Sequence, residues 1–126
     1  MKHPTNLIFL LLALFLATIL SVQSGSESYA EANNINAEAD KELNAAYNQL
    51  IKSIRADNDK DRAELLIARL KESQRAWLKY RDAQVAFVGV NANVGSASSR
   101  ALGMASYSAE LTKERIKDLK AVPNPF

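Results

Sequence analysis

Between Lys60 and Val88 the sequence reads KDRAELLIARLKESQRAWLKYRDAQVAFV, with neither glycine nor proline to interrupt it. Leu66, Leu70, Ser73, Trp77, Arg81, Val85 and Val88 follow one another at spacings of three and four, which puts them along one face of a helix. The stretch predicts one long helix from about Lys60 to about Val88. A helix with such a stripe must bury it against other elements, so partners are to be sought on either side.

Upstream, Asp57-Asn58-Asp59 reads as a turn and a cap. Before it, Leu43, Tyr47, Leu50, Ile51 and Ile54 share one helical face, in a helix expected from about Asn36, whose side chain can cap it, to about Arg55. Downstream, Gly89 to Ser98 is rich in Gly, Asn and Ser and reads as a loop. A third helix is expected from about Ser99 to about Lys120, with Leu102, Ala105, Ser108, Leu111, Thr112, Arg115 and Leu119 on one face. Pro123 and Pro125 follow it, residues that cannot continue a helix. No internal repeat and no strand pattern with turn signals is present. Short connections between long helices force antiparallel neighbours. The expected fold class is therefore all-α: a small antiparallel three-helix up-down-up bundle.

The amino-terminal segment has a different character. Met1, Lys2 and His3 form a short cationic head, and Leu7 to Leu20 run apolar except for Thr18. That run is shorter than the ~20 residues a helix needs to cross a hydrocarbon core, and it matches the central part of a secretion signal. Small residues follow. Ser28-Tyr29-Ala30 offers a cleavage site before Glu31, and Val22-Gln23-Ser24 is a competing site. Residues 1–30 are thus expected to be a signal peptide. Residues 31–126 then form one domain, opening on a polar, Asn-rich leader at 31–36 and carrying no membrane span. The expected location is outside the cytoplasm, periplasmic or secreted.

Composition narrows the chemistry. The chain has no cysteine, and its one histidine, His3, lies in the signal. Ser-His-Asp and Cys-His nucleophilic sites, typical zinc sites and thiol redox chemistry are excluded from the remaining domain. No cofactor and no enzymatic activity are expected. With 16 Lys and Arg against 14 Asp and Glu, the net charge of +2 leaves no basic block for nucleic acid. Asp57-Asn58-Asp59-Lys60-Asp61 imitates the start of a calcium-binding loop. Counted from Asp57, however, the required Gly is Arg62 and the required bidentate Glu is Ala68. A capping turn is the better reading.

Polar residues on the apolar faces carry more information. Gln74, Arg81, Thr112 and Arg115 lie where a core is expected, and a buried Arg must be partnered. Reflecting the helices about turns near Asn58 and Val94 brings Asp40 and Thr112 to the level of Ala76, and Arg115 to that of Ser73 and Gln74. Asp40, Gln74, Trp77, Arg81, Thr112 and Arg115 are therefore expected to form a structural polar layer, with Arg115 paired to Asp40 or bonded to Gln74 beside the Trp77 ring.

Three spaced motifs complete the reading: Asp40-Lys41-Glu42-Leu43-Asn44-Ala45-Ala46-Tyr47, Gln74-Arg75-Ala76-Trp77-Leu78-Lys79-Tyr80-Arg81-Asp82, and Leu111-Thr112-Lys113-Glu114-Arg115. Together they resemble the LprI-type lysozyme-inhibitor N-terminal domain family, whose members show D-x-x-L-N-x-x-Y, Q-R-x-W-x-x-Y-R-D and L-T-x-x-R in that order. The resemblance implies a small helical domain in secreted, periplasmic or lipid-anchored bacterial proteins. It also implies a protein partner, lysozyme or another envelope-directed hydrolase. Members usually carry a cysteine pair at the places held here by Val85 and Tyr107, and such a bridge typically adds about 2–4 kcal/mol. The loop between the second and third helices, with Asn91, Asn93, Gly95 and Ser96, is the candidate partner-binding loop. The competing expectation is a structural or stress-related envelope protein without an enzymatic target.

Overall fold

Three helices, α1 (Thr5–Asp57), α2 (Lys60–Asn91) and α3 (Ala97–Ala121), make up the computed structural model, which describes residues 5–92 and 95–122, with side chains from Gly25 onward. They pack as a three-helix bundle. Met1–His3, Asn93, Val94, Pro123 and Pro125 lie outside the described residues.

The turn between α1 and α2 is built from its own side chains. Asp59 is the N-cap of α2, its carboxylate accepting from the Arg62 backbone N–H at 3.0 Å. The Asn58 side-chain amide donates to the Ile54 carbonyl at 2.8 Å and accepts from Arg62 Nε at 3.1 Å. Orphan groups at both helix ends are thereby satisfied within two residues of chain.

Helix α1 does not begin at Asn36. It runs unbroken through residues 31–36, so the polar leader is helical and Asn36 sits mid-helix rather than at a cap. Two physical reasons stand out. Extending an existing helix costs far less than starting one, and no proline intervenes. Ala32 is also buried, which ties this turn to the bundle despite its asparagines.

The core is a cluster of Leu43, Leu50, Ile116 and Leu119, with Tyr47, Ile54, Leu70 and Trp77 packed around it. The closest packing joins α1 to α3 and the sparsest joins α1 to α2. Small residues explain the first. Ala32, Ala105 and Ala109 are all buried, and side chains of that size let two helix backbones approach closely. The apolar face of α3 is rotated from its expected position. Its buried residues are Ala105, Ala109, Thr112, Ile116 and Leu119, at spacings of four, three, four and three. Leu102, Ser108, Leu111 and Arg115 flank that seam, half-buried.

At the other end α2 continues to Asn91, one turn past Val88, and α3 starts at Ala97. The loop is shorter than its composition suggested. Gly95 adopts φ +82°, a conformation that side chains disfavour, and delivers the chain to Ser96. Ser96 caps α3 by accepting from the Ser99 backbone N–H at 3.2 Å. Gly89 is buried where α2 crosses α3, with the Met104 side chain over the place a Cβ would take.

Candidate functional site

The polar residues of α1, α2 and α3 meet on one level of the bundle, and Arg81 is their centre. Its side chain is only 12% exposed. Arg81 Nη1 donates to Asp40 Oδ1 at 2.6 Å and to Thr112 Oγ1 at 3.3 Å, and Nε donates to Asp82 at 3.2 Å. The guanidinium also lies 5.4 Å from the centre of the Trp77 ring, within range of a cation–π attraction. Thr112 is fully buried and its hydroxyl donates to the Ser108 carbonyl at 2.8 Å. One half-exposed carboxylate, one buried hydroxyl and one aromatic face thus satisfy a cation that burial would otherwise penalise.

Arg115 belongs to a neighbouring group. It donates from Nε to Gln74 at 3.0 Å and from Nη2 to Ser73 at 2.9 Å. Of the two partners considered for it, the structure selects Gln74, and Asp40 goes to Arg81 instead. The reason is side-chain direction. A helical side chain leans toward its helix's amino terminus, so the long Arg81 side chain ends near the level of Trp77. Asp40 and Thr112 stand at that level.

Beside this layer, residues of all three helices line an open groove of about 520 Å³. Tyr29 and Ala32 of α1, Val85 of α2 and Met104 of α3 line it, and Asp40 and Arg81 form part of its floor. The Asp40 carboxylate is engaged by Arg81, so the groove presents an apolar wall above an ion pair. Among the described residues no group of His, Cys, Asp and Glu could hold a metal ion.

The loop residues are arranged differently from the layer. Asn91 closes α2, Gly95 turns the chain and Ser96 caps α3, so three of them have defined structural duties. Ser96 Oγ also contacts the hydroxyls of Ser98 and Ser99 at 2.9 and 3.0 Å. Among the described residues, no hydrogen bond joins the layer to Asn91, Gly95 or Ser96.

The outer face of α3 is charged and solvated. Glu110 pairs with Lys113 and Glu114 with Lys117, each at 2.7 Å. The hydrogen bond from Lys113 lowers the Glu110 pKa below its ordinary value, and the carboxylate partners raise those of Lys113 and Lys117.

The family profile described as Lysozyme inhibitor LprI matches residues 21–119, which takes in the bundle from the groove-lining turn of α1 to the last core residue of α3. The chain belongs to the LprI family. A similar chain is an uncharacterized protein of Rhizobium meliloti (strain 1021), 34% identical over 65% of this chain and 61% of its own length. This chain therefore spans about three fifths of that relative. No solved structure matches. Within the LprI match, Asp40, Gln74, Trp77, Arg81, Thr112 and Arg115 serve the contacts between helices. Tyr29, read only as part of a cleavage site, and Ala32 were not expected in the bundle because they precede the expected start of the first helix. The signal that could have found them is their helical spacing ahead of Asn36, Ala39 and Leu43.

Proposed function

We propose that this LprI chain is an exported bacterial binding module whose partner is lysozyme or another envelope-directed hydrolase. Family membership over residues 21–119 carries the reading. The bundle supports it in a second way, because its polar centre is engaged in structure and its groove is suited to contact rather than catalysis. Asn91, Asn93, Gly95 and Ser96, in the connection between α2 and α3, are the residues assigned to the partner.

Near-neutral net charge gives little long-range attraction toward a cationic lysozyme. The expected result in turbidity assays against several lysozyme types is binding with no more than weak inhibition. Stoichiometric inhibition at nanomolar concentration would identify a dedicated lysozyme target. Failure to bind any lysozyme type, in calorimetry as well as turbidity, would remove lysozyme from the reading.

Export is part of the proposal, and the bundle bears on where the signal is cut. Cleavage before Glu31 would discard Tyr29 from the groove and leave buried Ala32 one residue from a free end. Cleavage after Ser24 keeps both. Intact-mass measurement of the protein recovered outside the cytoplasm should give an amino terminus at or near Gly25. A mass beginning at Glu31 would show that the groove is completed without Tyr29, and retention of Met1 to Leu20 would remove the signal peptide altogether.

A further inference from the structure

The outward face of α2 is unlike the other outer faces of the bundle. Ala76, Tyr80, Ala83, Phe87 and Val90 succeed one another at spacings of four, three, four and three, the repeat of a coiled-coil seam. They lie about a third of a turn round the helix from Trp77 and Arg81, and all five are exposed. Tyr80 is 51%, Phe87 63% and Val90 86% exposed. By contrast α3 shows solvent its Glu–Lys pairs, and α1 shows Glu38, Lys41, Asn44, Asn48 and Lys52. Helix α2 therefore carries two apolar stripes, and the bundle uses only one.

We infer that the second stripe is the contact face of a weak homodimer, in which α2 packs antiparallel on α2 of another copy about a two-fold axis. The order of side-chain sizes argues for it. Small and large residues alternate along the seam: Ala76, Tyr80, Ala83, Phe87. In an antiparallel register centred between Arg81 and Asp82, Tyr80 of each copy lies over Ala83 of the other, and Phe87 over Ala76. Every large side chain then meets a small one, and the two-fold repeats each contact. A parallel pairing would set aromatic against aromatic and leave gaps between facing alanines. In the antiparallel register Lys79 stands at the level of Gln84 and meets no like charge.

The area sets the strength. A covered aromatic contributes about 150–250 Å², and these are already partly covered, so each copy offers on the order of 400–500 Å². The total falls below the roughly 1,200–2,000 Å² of a stable specific interface. The dimer is accordingly one that forms at high micromolar concentration and dissociates on dilution.

Sedimentation equilibrium of the purified chain should show monomer at about 1 μM and a monomer–dimer equilibrium toward 1 mM. Phe87→Lys should weaken association at least tenfold while leaving the thermal unfolding midpoint unchanged, since Phe87 is outside the core. Because the chain has no native cysteine, Ala83→Cys should be joined into a dimer by a short bis-maleimide, and Ser106→Cys on the outer face of α3 should not. Monomer at every concentration would overturn the inference, as would a dimer indifferent to Phe87→Lys or cross-linked equally from Ser106→Cys. Loss of binding to a lysozyme by Phe87→Lys, with no self-association of the parent chain, would also overturn it by giving the face to a different partner.

Discussion

Leu119→Ala is expected to lower the stability of the bundle by about 2–5 kcal/mol, the range for truncating a well-packed buried leucine. Leu119 is 1% exposed and sits in the cluster with Leu43, Leu50 and Ile116, where α3 closes on α1. Its neighbours are held by long helices and cannot collapse easily into the space left behind. In a domain of this size each kcal/mol moves the unfolding midpoint by about 4–8 °C, so a fall of at least ~8 °C should be seen. Urea titration should show an earlier midpoint with an unchanged slope, the mark of lost stability without a change in the surface exposed. Lys117→Ala, two residues away on the solvated face, should stay within about 0.5 kcal/mol of the parent. Equal effects from the two changes would mean that the α1–α3 seam is not the core.

The second large effect centres on Arg81. Arg81→Ala should cost about 2–4 kcal/mol, since it deprives Asp40 and Thr112 of their donor and removes the stem packed beside Trp77. Arg81→Met keeps the stem and should cost less than Arg81→Ala. Asp40→Asn should cost less still, about 1–2 kcal/mol, because Asp40 is half exposed and Asp82 and Thr112 remain to the guanidinium. A double-mutant cycle between Arg81→Met and Asp40→Asn should return a coupling of about 1 kcal/mol or more. Additive effects would show that the 2.6 Å contact contributes nothing beyond its separate parts.

Much of this architecture was legible in the chain. Apolar spacing gave three helices, and Asp57-Asn58-Asp59 announced the first turn in the residues that now cap it. Reflection about the turns placed Asp40 and Thr112 at one level, because antiparallel helices share a common rise per residue. Two features were hidden for physical reasons. The start of α1 carries no stop signal, and only tertiary burial of Ala32 shows that the helix belongs to the bundle so early. On α3, alanine is ambiguous between core and surface. The seam through Ala109 and Ile116 was therefore displaced toward the bulkier Leu102 and Leu111. Arg115 was offered as a partner of Asp40 where the structure has Arg81, whose guanidinium ends well below its own Cα. Of the candidate loop, Gly95 and Ser96 were recognisable as turn chemistry, but whether a partner touches them is not written in local sequence.

The close seam between α1 and α3 has a consequence for how the chain acquires its structure. The two helices that fit best are those furthest apart in sequence, with all of α2 between them, while the sequence neighbours α1 and α2 touch least. Helical bundles usually fold fast because their contacts are local. Here the contacts that matter most close the longest available loop, whose entropy must be met before they form. A nascent chain that has presented only α1 and α2 has half of its core cluster and only Ala32 of the alanine seam that lets the backbones approach. Assembly waits for the final helix to emerge. The export proposed above would require a chain that stays unfolded until it has crossed a membrane, and a seam completed only by the last helix suits that requirement.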